Sequence, residues 1–435
     1  MKIAVIGSGI AGLSCAYRLA QSGHAISLFE ANDYFGGHTH TVDVMLDGRS
    51  FGVDTGFLVF NHRTYPNLVS LFAELDIDTV ATDMSFSAKM PLDANGGRLL
   101  EWAGSNLDTV FAQRRNLVSP RFLRMLRDIL RFNKQATALA ESGQDNGWDR
   151  PLGAFLDRHR YSDEFRNWYL LPMAGCIWSC PTGQMLEFPI ATFVRFCHNH
   201  GLLQIENRPQ WHTVTGGARH YVVKMLAAID NKYLNTPVRS VLRTVINGRR
   251  QVAIESAHGA QLFDHVVMAC HSDQSLTLLQ DRREDERDVL SAIRYQPNRA
   301  VLHTDASLLP RSRKAWSAWN YQSRSGAEPD VCVHYLINKL QPLPTETPVI
   351  VSLNPIEAPR AESVIATFDY AHPVFDAGAV AAQQALSLIQ GKRNTWFAGA
   401  WTGYGFHEDG LKSGIAVAQA IAGTSQDSAS VLAAA

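Results

Sequence analysis

The opening residues constrain the fold of this chain more than any other stretch. Lys2–Ile6 reads as a short buried strand, Gly7-Ser8-Gly9-Ile10-Ala11-Gly12 as a turn, and Leu13, Ala16, Leu19 and Ala20 then recur at helical spacing. A second strand, Ala25–Phe29, ends in Glu30, an acid about 20 residues beyond the glycines. In that order each residue type has a task. Gly7 permits a tight turn, Gly9 lets a backbone approach a pyrophosphate, and Gly12 lets helix and strand pack closely with the phosphate at the helix N-terminus. Glu30 is placed to accept hydrogen bonds from an adenosine ribose. A glycine turn alone is commonplace; strand, helix and acid in register predict an α/β unit that binds a dinucleotide.

Composition narrows the class further. A length of 435 residues predicts about two or three domains. Charged residues are 19% and apolar residues 46%, which excludes a disordered chain. Lys plus Arg (40) nearly cancels Asp plus Glu (41), so no overall field gathers nucleic acid, and none is expected as a partner. Cys15, Cys176, Cys180, Cys197, Cys270 and Cys332 form no C-x-x-C pair, which points to a reducing compartment. The pairs His38/His40 and His198/His200 lack further ligands nearby, and no metal is assigned. With no signal-peptide pattern and no run of about 20 apolar residues, a cytoplasmic protein is expected.

Downstream of Glu30 the pattern E-x(6)-G-G, ending in Gly36-Gly37-His38, resembles the extended FAD fingerprint of glutathione-reductase-type flavoproteins, particularly their amine-oxidase-like branch. That branch usually has Arg after the paired glycines. His38 stands there instead and weakens any fixed positive charge, because His is mostly neutral at pH 7. Thr395–Ala400 reads as a strand and Gly410–Ala418 opens a helix, which together resemble the last FAD motif of the same proteins. Asp54-Thr55-Gly56-Phe57 matches their D-x-G turn beside the flavin. The resemblance implies noncovalent FAD, a Rossmann-like FAD-binding domain of glutathione-reductase type, and an interleaved α+β substrate domain, amine-oxidase-like. The cofactor residues it implies are Gly7, Gly9, Ile10, Ala11, Gly12, Glu30, Ala31, Gly36, Gly37, His38, Gly56, Phe57, Leu58, Val238, Gly399, Ala400, His407, Gly410 and Leu411.

Along the chain, FAD-binding segments are expected at 1–62, 205–275 and 391–425, and substrate-domain segments at 63–204 and 276–390, with a tail at 426–435. The segment 63–204 reads as mainly helical, with helices over Tyr65–Leu75, Pro120–Ala140 and Ile190–His200 and a loop at Gly143–Gly147. Trp211–Gly217 restarts the dinucleotide domain; strands follow at Val238–Val245, Gln251–Ser256 and Phe263–Ala269, and Asn247-Gly248 signals a hairpin. Within 119–134, Arg121, Arg124, Arg127, Arg131 and Lys134 share one helical arc, and Phe122, Leu123, Leu126, Ile129 and Leu130 the opposite one. Two readings are open: a core-packed helix with a solvated basic face, or a peripheral contact with anionic lipid headgroups.

Whole stretches carry a further likeness: 54–68, 83–87, 176–181 and 403–414. They resemble oxidoreductases of the amine-oxidase/phytoene-desaturase superfamily, and the N-terminal flavoprotein part of plant cyclopropane-fatty-acid synthases. The likeness implies dehydrogenation or desaturation of a modified fatty-acyl chain, by hydride transfer to flavin N5. A flavin amine oxidase and a noncatalytic FAD-binding partner of a lipid methyltransferase are the alternatives. Phe406 takes the position where amine oxidases commonly have an aromatic Tyr, and it offers an apolar wall that suits a hydrocarbon chain. Phe60 and Trp178 are further pocket candidates, and His407 is the candidate base, a histidine of ordinary pKa being matched to neutral pH.

Overall fold

A computed structural model describes residues 1–93, 97–142, 150–204, 207–324 and 331–433, with side chains to Gly423 in the last helix. The expected loop at Gly143–Gly147 lies outside the described residues. Five strands form a parallel sheet in the order Asn231–Tyr233, Ala25–Phe29, Lys2–Ile6, His265–Met268, Thr395–Phe397. Ile3, Ala4, Val5, Leu28, Val266 and Val267 are fully buried because both faces of such a sheet are covered. On one face the helix Ile10–Gln21 lies against the final helix, His407–Ala433, so tightly that a Cβ on Gly414 would sit 2.2 Å from the Ala11 carbonyl oxygen. Both helices start above the carboxyl ends of the strands, where α/β sheets of this kind bind ligands. The final helix continues through the segment read as a tail.

A second sheet has seven strands in the order Val364–Val374, Arg294–His303, Ile350–Leu353, Cys332–Leu336, Trp319–Gln322, Phe86–Pro91, Leu99–Ala103. Its pairs are antiparallel except Trp319–Gln322 with Phe86–Pro91. Beside it, helices Pro120–Ser142, Leu152–Arg158, Leu171–Trp178 and Ile190–Asn199 share a core around Phe132, Phe165 and Phe193. The mainly helical reading of 63–204 therefore misses three strands, Thr79–Thr82, Phe86–Pro91 and Leu99–Ala103. Phe86–Pro91 has adjacent buried residues, Ser87 and Ala88, so no strict alternation marked it; one partner, Leu99–Ala103, is close in sequence, but the other, Trp319–Gln322, is more than 200 residues away.

Other readings need adjustment. Trp211–Val214 pairs with Phe60–Asn61 and Thr79–Thr82 rather than with the parallel sheet, although Val214 shares that sheet's core. The hairpin strands run Ser240–Ile246 and Arg249–Ser256, with Asn247 and Gly248 both at positive φ. The single strand read at Phe263–Ala269 is broken at Asp264, whose carboxylate accepts the Lys2 amide at 2.7 Å where the chain passes between sheets. In the basic helix the buried face is Phe122, Met125, Phe132 and Ala136; Leu123 (44%) and Leu130 (57%) are exposed, contrary to the expected apolar arc. Among the described residues, no helix is long and apolar enough to cross a membrane.

Inside the seven-stranded sheet Ser352 Oγ lies 2.6 Å from both His303 Nε2 and His334 Nδ1. Burial pushes these imidazoles down to about 4 and about 3, so both are neutral in the fold. In the unfolded chain they titrate near ~6.5. Below that pH the unfolded state binds more protons, and stability falls by up to about 1.4 kcal/mol per pH unit for each group until the folded pKa is reached. The melting temperature should therefore drop steadily between pH 6.5 and pH 4; a flat profile would disprove the account.

Candidate active site

The first element of the site is the glycine turn. Gly7 has φ +99°, and a Cβ there would meet the Ala269 carbonyl oxygen at 2.8 Å; a Cβ on Gly12 would lie 1.9 Å from the Gly7 oxygen. Gly9 differs, because a Cβ there meets nothing within 4 Å. Gly37, at φ +58°, lies directly across, its own Cβ position 3.0 Å from the Gly9 Cα. The two segments are tied by Ser8, which the sequence reading passed over within the motif. Its amide and hydroxyl donate to Glu30 Oε2 at 2.9 and 2.5 Å, and its oxygen accepts the Gly36 amide at 3.1 Å. Asn32 N–H donates to Glu30 Oε1 at 2.9 Å, so the acid is held rigidly at the strand end with lone pairs to spare.

His38 follows the paired glycines, with its ring centroid 5.0 Å from Tyr370 and 5.1 Å from His372. Burial, with His372, His271 and His407 nearby, holds its pKa well below the ordinary range. Its Nε2 is buried without a hydrogen-bond partner among the described residues. No side chain caps the helix starting at Ile10. Open space beside Gly9, uncapped helical amides and an orphaned imidazole nitrogen together fit a dinucleotide diphosphate.

The D-x-G turn is bound on every side. A Cβ on Gly56 would lie 2.2 Å from the His38 oxygen, and Phe57 N–H donates to that oxygen at 2.7 Å. Asp54 accepts from Thr41 Oγ1 (2.5 Å), from the Ala218 amide and from Gln341 Nε2 (3.0 Å), joining the turn to the helix Arg219–Leu226 and to the second sheet. Burial raises its pKa to about 6 against these bonds.

The loop before the final helix has a comparable logic. Glu408 caps the distant helix Pro66–Glu74 by accepting from the Asn67 amide at 2.8 Å and the Leu68 amide at 3.0 Å. Asp409 accepts the Phe406 amide at 3.0 Å, and burial raises its pKa to about 6. His407 stacks on Phe57 at 3.9 Å, and its Nε2 lies 2.6 Å from the Tyr221 hydroxyl, which also meets Thr39 Oγ1. Burial pushes His407 down to about 3. A base works best with a pKa near the operating pH, so burial makes His407 a weak base, and its contacts with Phe57 and Tyr221 hold the neutral ring in place.

Phe406 stacks on Phe196 at 4.8 Å and lies 6.2 Å from Trp178. Phe188 and Phe193 extend this wall behind Trp178, and His200 borders it 5.8 Å from Phe406. Burial lowers His200 to about 4, so the wall carries no charge there at neutral pH. Phe196 and His200 had no local signal; their role arises where the helix Ile190–Asn199 crosses the loop. Phe60 is a correction. It is 1% exposed inside the dinucleotide core, 5.2 Å from Phe72, and forms no part of the wall. The side chains of Ile10, Ala11, Leu58 and Leu411 also point into cores, leaving only their backbones for a cofactor. Ala31 is exposed beyond Glu30, Val238 precedes its strand at the core edge, and Gly399 and Ala400 follow the strand Thr395–Phe397, with Ala400 against Gly410.

Comparisons with known proteins bear on the family and the fold. Residues 10–304 match the family described as flavin containing amine oxidoreductase. A 1-hydroxycarotenoid 3,4-desaturase of Flavobacterium sp. is 40% identical over 77 residues, 18% of this chain and 15% of that protein. A 15-cis-phytoene desaturase of Synechococcus elongatus is 40% identical over 78 residues, again 18% of this chain and 16% of its own length. The match thus spans about one sixth of these relatives. Among solved structures, a putrescine oxidase with bound putrescine is similar with a TM-score of 0.68 at 14% identity, covering 97% of this chain and 99% of that one. A fatty acid isomerase from P. acnes that produces CLA has a TM-score of 0.64 at 16% identity, covering 96% and 98%. At such identities these likenesses show the fold. The likeness to cyclopropane-fatty-acid synthases has no support from these comparisons.

Proposed function

The chain belongs to the flavin-containing amine oxidoreductase family, and from that premise we propose that it dehydrogenates the hydrocarbon chain of a lipid. The protein is an FAD-dependent oxidoreductase. FAD, when bound, supplies the capacity to accept two electrons as a hydride. Gly9, Gly37, His38 and the first amides of the helix at Ile10 would hold its diphosphate, and Glu30 its ribose.

One observation carries the substrate reading: Phe406 and His200, both partly exposed, pack on the buried rings of Phe196 and Trp178, and this aromatic cluster carries no charge. An apolar chain gains contact area on these rings, and none of the four supplies a carboxylate to pair with a cationic amine; ring faces attract cations as well, so the amine arm of the test decides between the two classes. Relatives named as carotenoid desaturases, and a structural neighbour named as a fatty acid isomerase, support the same class. The test is an anaerobic visible spectrum of the flavin-loaded protein, with phospholipids carrying unsaturated or methyl-branched chains and, separately, with a panel of amines. The oxidised-flavin band should bleach with lipid and stay with amines. Bleaching by an amine would overturn the reading in favour of an amine oxidase, and a flavin that neither class bleaches would overturn it in favour of a noncatalytic flavin-binding role.

A further inference from the structure

We propose that the solvent face of the helix Pro120–Ser142, with the turn before it, docks on an anionic phospholipid surface. This inference goes beyond the substrate reading and does not depend on it. Two independent features coincide on this segment. Large apolar side chains stand in solvent: Leu117 is 49% exposed, Val118 81%, Leu123 44% and Leu130 57%. Leu123, Arg127, Leu130 and Lys134 follow at intervals of four, three and four, so they form one stripe along the helix, and Leu117 and Val118 project from the turn at its N-terminal end. This face is not the one packed on the protein, which is Phe122, Met125, Phe132 and Ala136.

The second feature is charge. Arg115, Arg121, Arg124, Arg127 and Lys134 are all exposed around these leucines, while Arg114, also exposed, is paired with the surface carboxylate of Asp108. Glu164 bonds Arg121 at 2.6 Å and lies 3.7 Å from Arg124, while Asp128 lies 3.5 Å from Arg127 and 3.4 Å from Arg131. Glu164 and Asp128 are buried (5% and 1%), so these acids sit beneath the guanidinium groups and leave the outer face positive. A basic rim around protruding leucines complements an anionic headgroup layer over acyl chains, each cation adding to adhesion and each leucine to insertion. A second copy of the chain would bring the same positive face and be repelled.

The helix also backs onto the candidate site. Phe132, on its inner face, lies 6.4 Å from Phe193, and Phe193 lies 5.9 Å from Trp178 of the aromatic wall. A protein docked through this face would hold that wall one helix away from the lipid.

The experiment is co-sedimentation of the full chain with equimolar phosphatidylglycerol–phosphatidylcholine vesicles and with pure phosphatidylcholine vesicles. The wild type should pellet with the anionic vesicles only and be released by about 0.5 M salt, which shrinks the screening length to a few ångströms. Leu117→Ser/Val118→Ser and Lys134→Glu should each lower the partition coefficient about tenfold or more, with unchanged melting temperature because these side chains are exposed and hold no buried partner. Wild-type binding by both variants, no preference for anionic vesicles, or no binding at all would overturn the proposal. So would a dimer in light scattering that Leu117→Ser/Val118→Ser dissociates, since the face would then belong to a second copy.

Discussion

Gly9→Val should give a folded, colourless protein, whereas Gly12→Ala should give little folded protein at all. The two glycines sit three residues apart in one motif but meet different surroundings. At Gly12 the added carbon would lie 1.9 Å from the Gly7 oxygen and 3.1 Å from the Ala269 side chain, and both the turn and the adjoining strand are backbone that cannot swing aside. Overpacking of a well-packed interior costs about 1–3 kcal/mol, and a backbone-to-backbone clash belongs at or above the top of that range. Gly9 has φ −62° and ψ 174°, a conformation open to any residue, and no atom within 4 Å of its Cβ position. Its small size leaves the fold indifferent and keeps the space next to Gly37 free. A valine there fills the diphosphate cradle. Flavin absorbance after desalting should fall at least about a hundredfold while the far-ultraviolet melting curve stays near that of flavin-stripped wild type. Stoichiometric flavin in Gly9→Val would show that the diphosphate lies elsewhere.

Glu286→Ala should produce the largest loss of stability from a residue remote from the site. Arg243, with its side chain 3% exposed, donates to Glu286, whose side chain is 2% exposed, and through Nε to Asp281 Oδ1 at 2.8 Å. Glu286 Oε2 also accepts the Arg283 amide at 2.9 Å, capping the helix Glu284–Ser291. Truncation strands a buried guanidinium with one acid and removes the cap together. Breaking a buried pair by removing one partner costs about 3–5 kcal/mol, mostly because the remaining charge is desolvated. The double variant Arg243→Leu/Glu286→Leu leaves no orphaned charge and should recover much of that loss. Urea midpoints for the wild type, the single variant and the double variant separate these cases. A single variant as stable as wild type would show that Asp281 alone satisfies Arg243.

How much of this site was readable beforehand depends on the range of the interaction. The glycine turn is local: Gly7 and Gly12 meet within six residues, and the positive φ of Gly7 or Gly37 is a property of one residue's missing Cβ. Phe406 was legible as an apolar residue before the final helix, but its stacking on Phe196 joins residues 210 positions apart. Phe60 shows the opposite case. A phenylalanine beside a flavin motif reads equally well as core or as wall, and only its packing on Phe72 and Tyr65 assigns it to the core. His407 misled for a related reason, since the ordinary histidine pKa holds in water and its burial against Phe57 and Tyr221 removes that water.

The parallel α/β unit, the tight turn at Gly7 and Gly12 and the positive φ of Gly36 and Gly37 were legible in the residues alone, because these are set by backbone sterics and side-chain periods acting over a few residues. The tertiary structure decided what the remaining side chains do. It buried His407 and His200 as neutral rings, made Glu408 the cap of a helix 340 residues earlier in the chain, and turned Leu123 and Leu130 of the basic helix outward beside its arginines. Those outcomes rest on solvent exclusion and on contacts between distant segments. No local pattern encodes them, because a group's protonation and exposure are properties of everything folded around it.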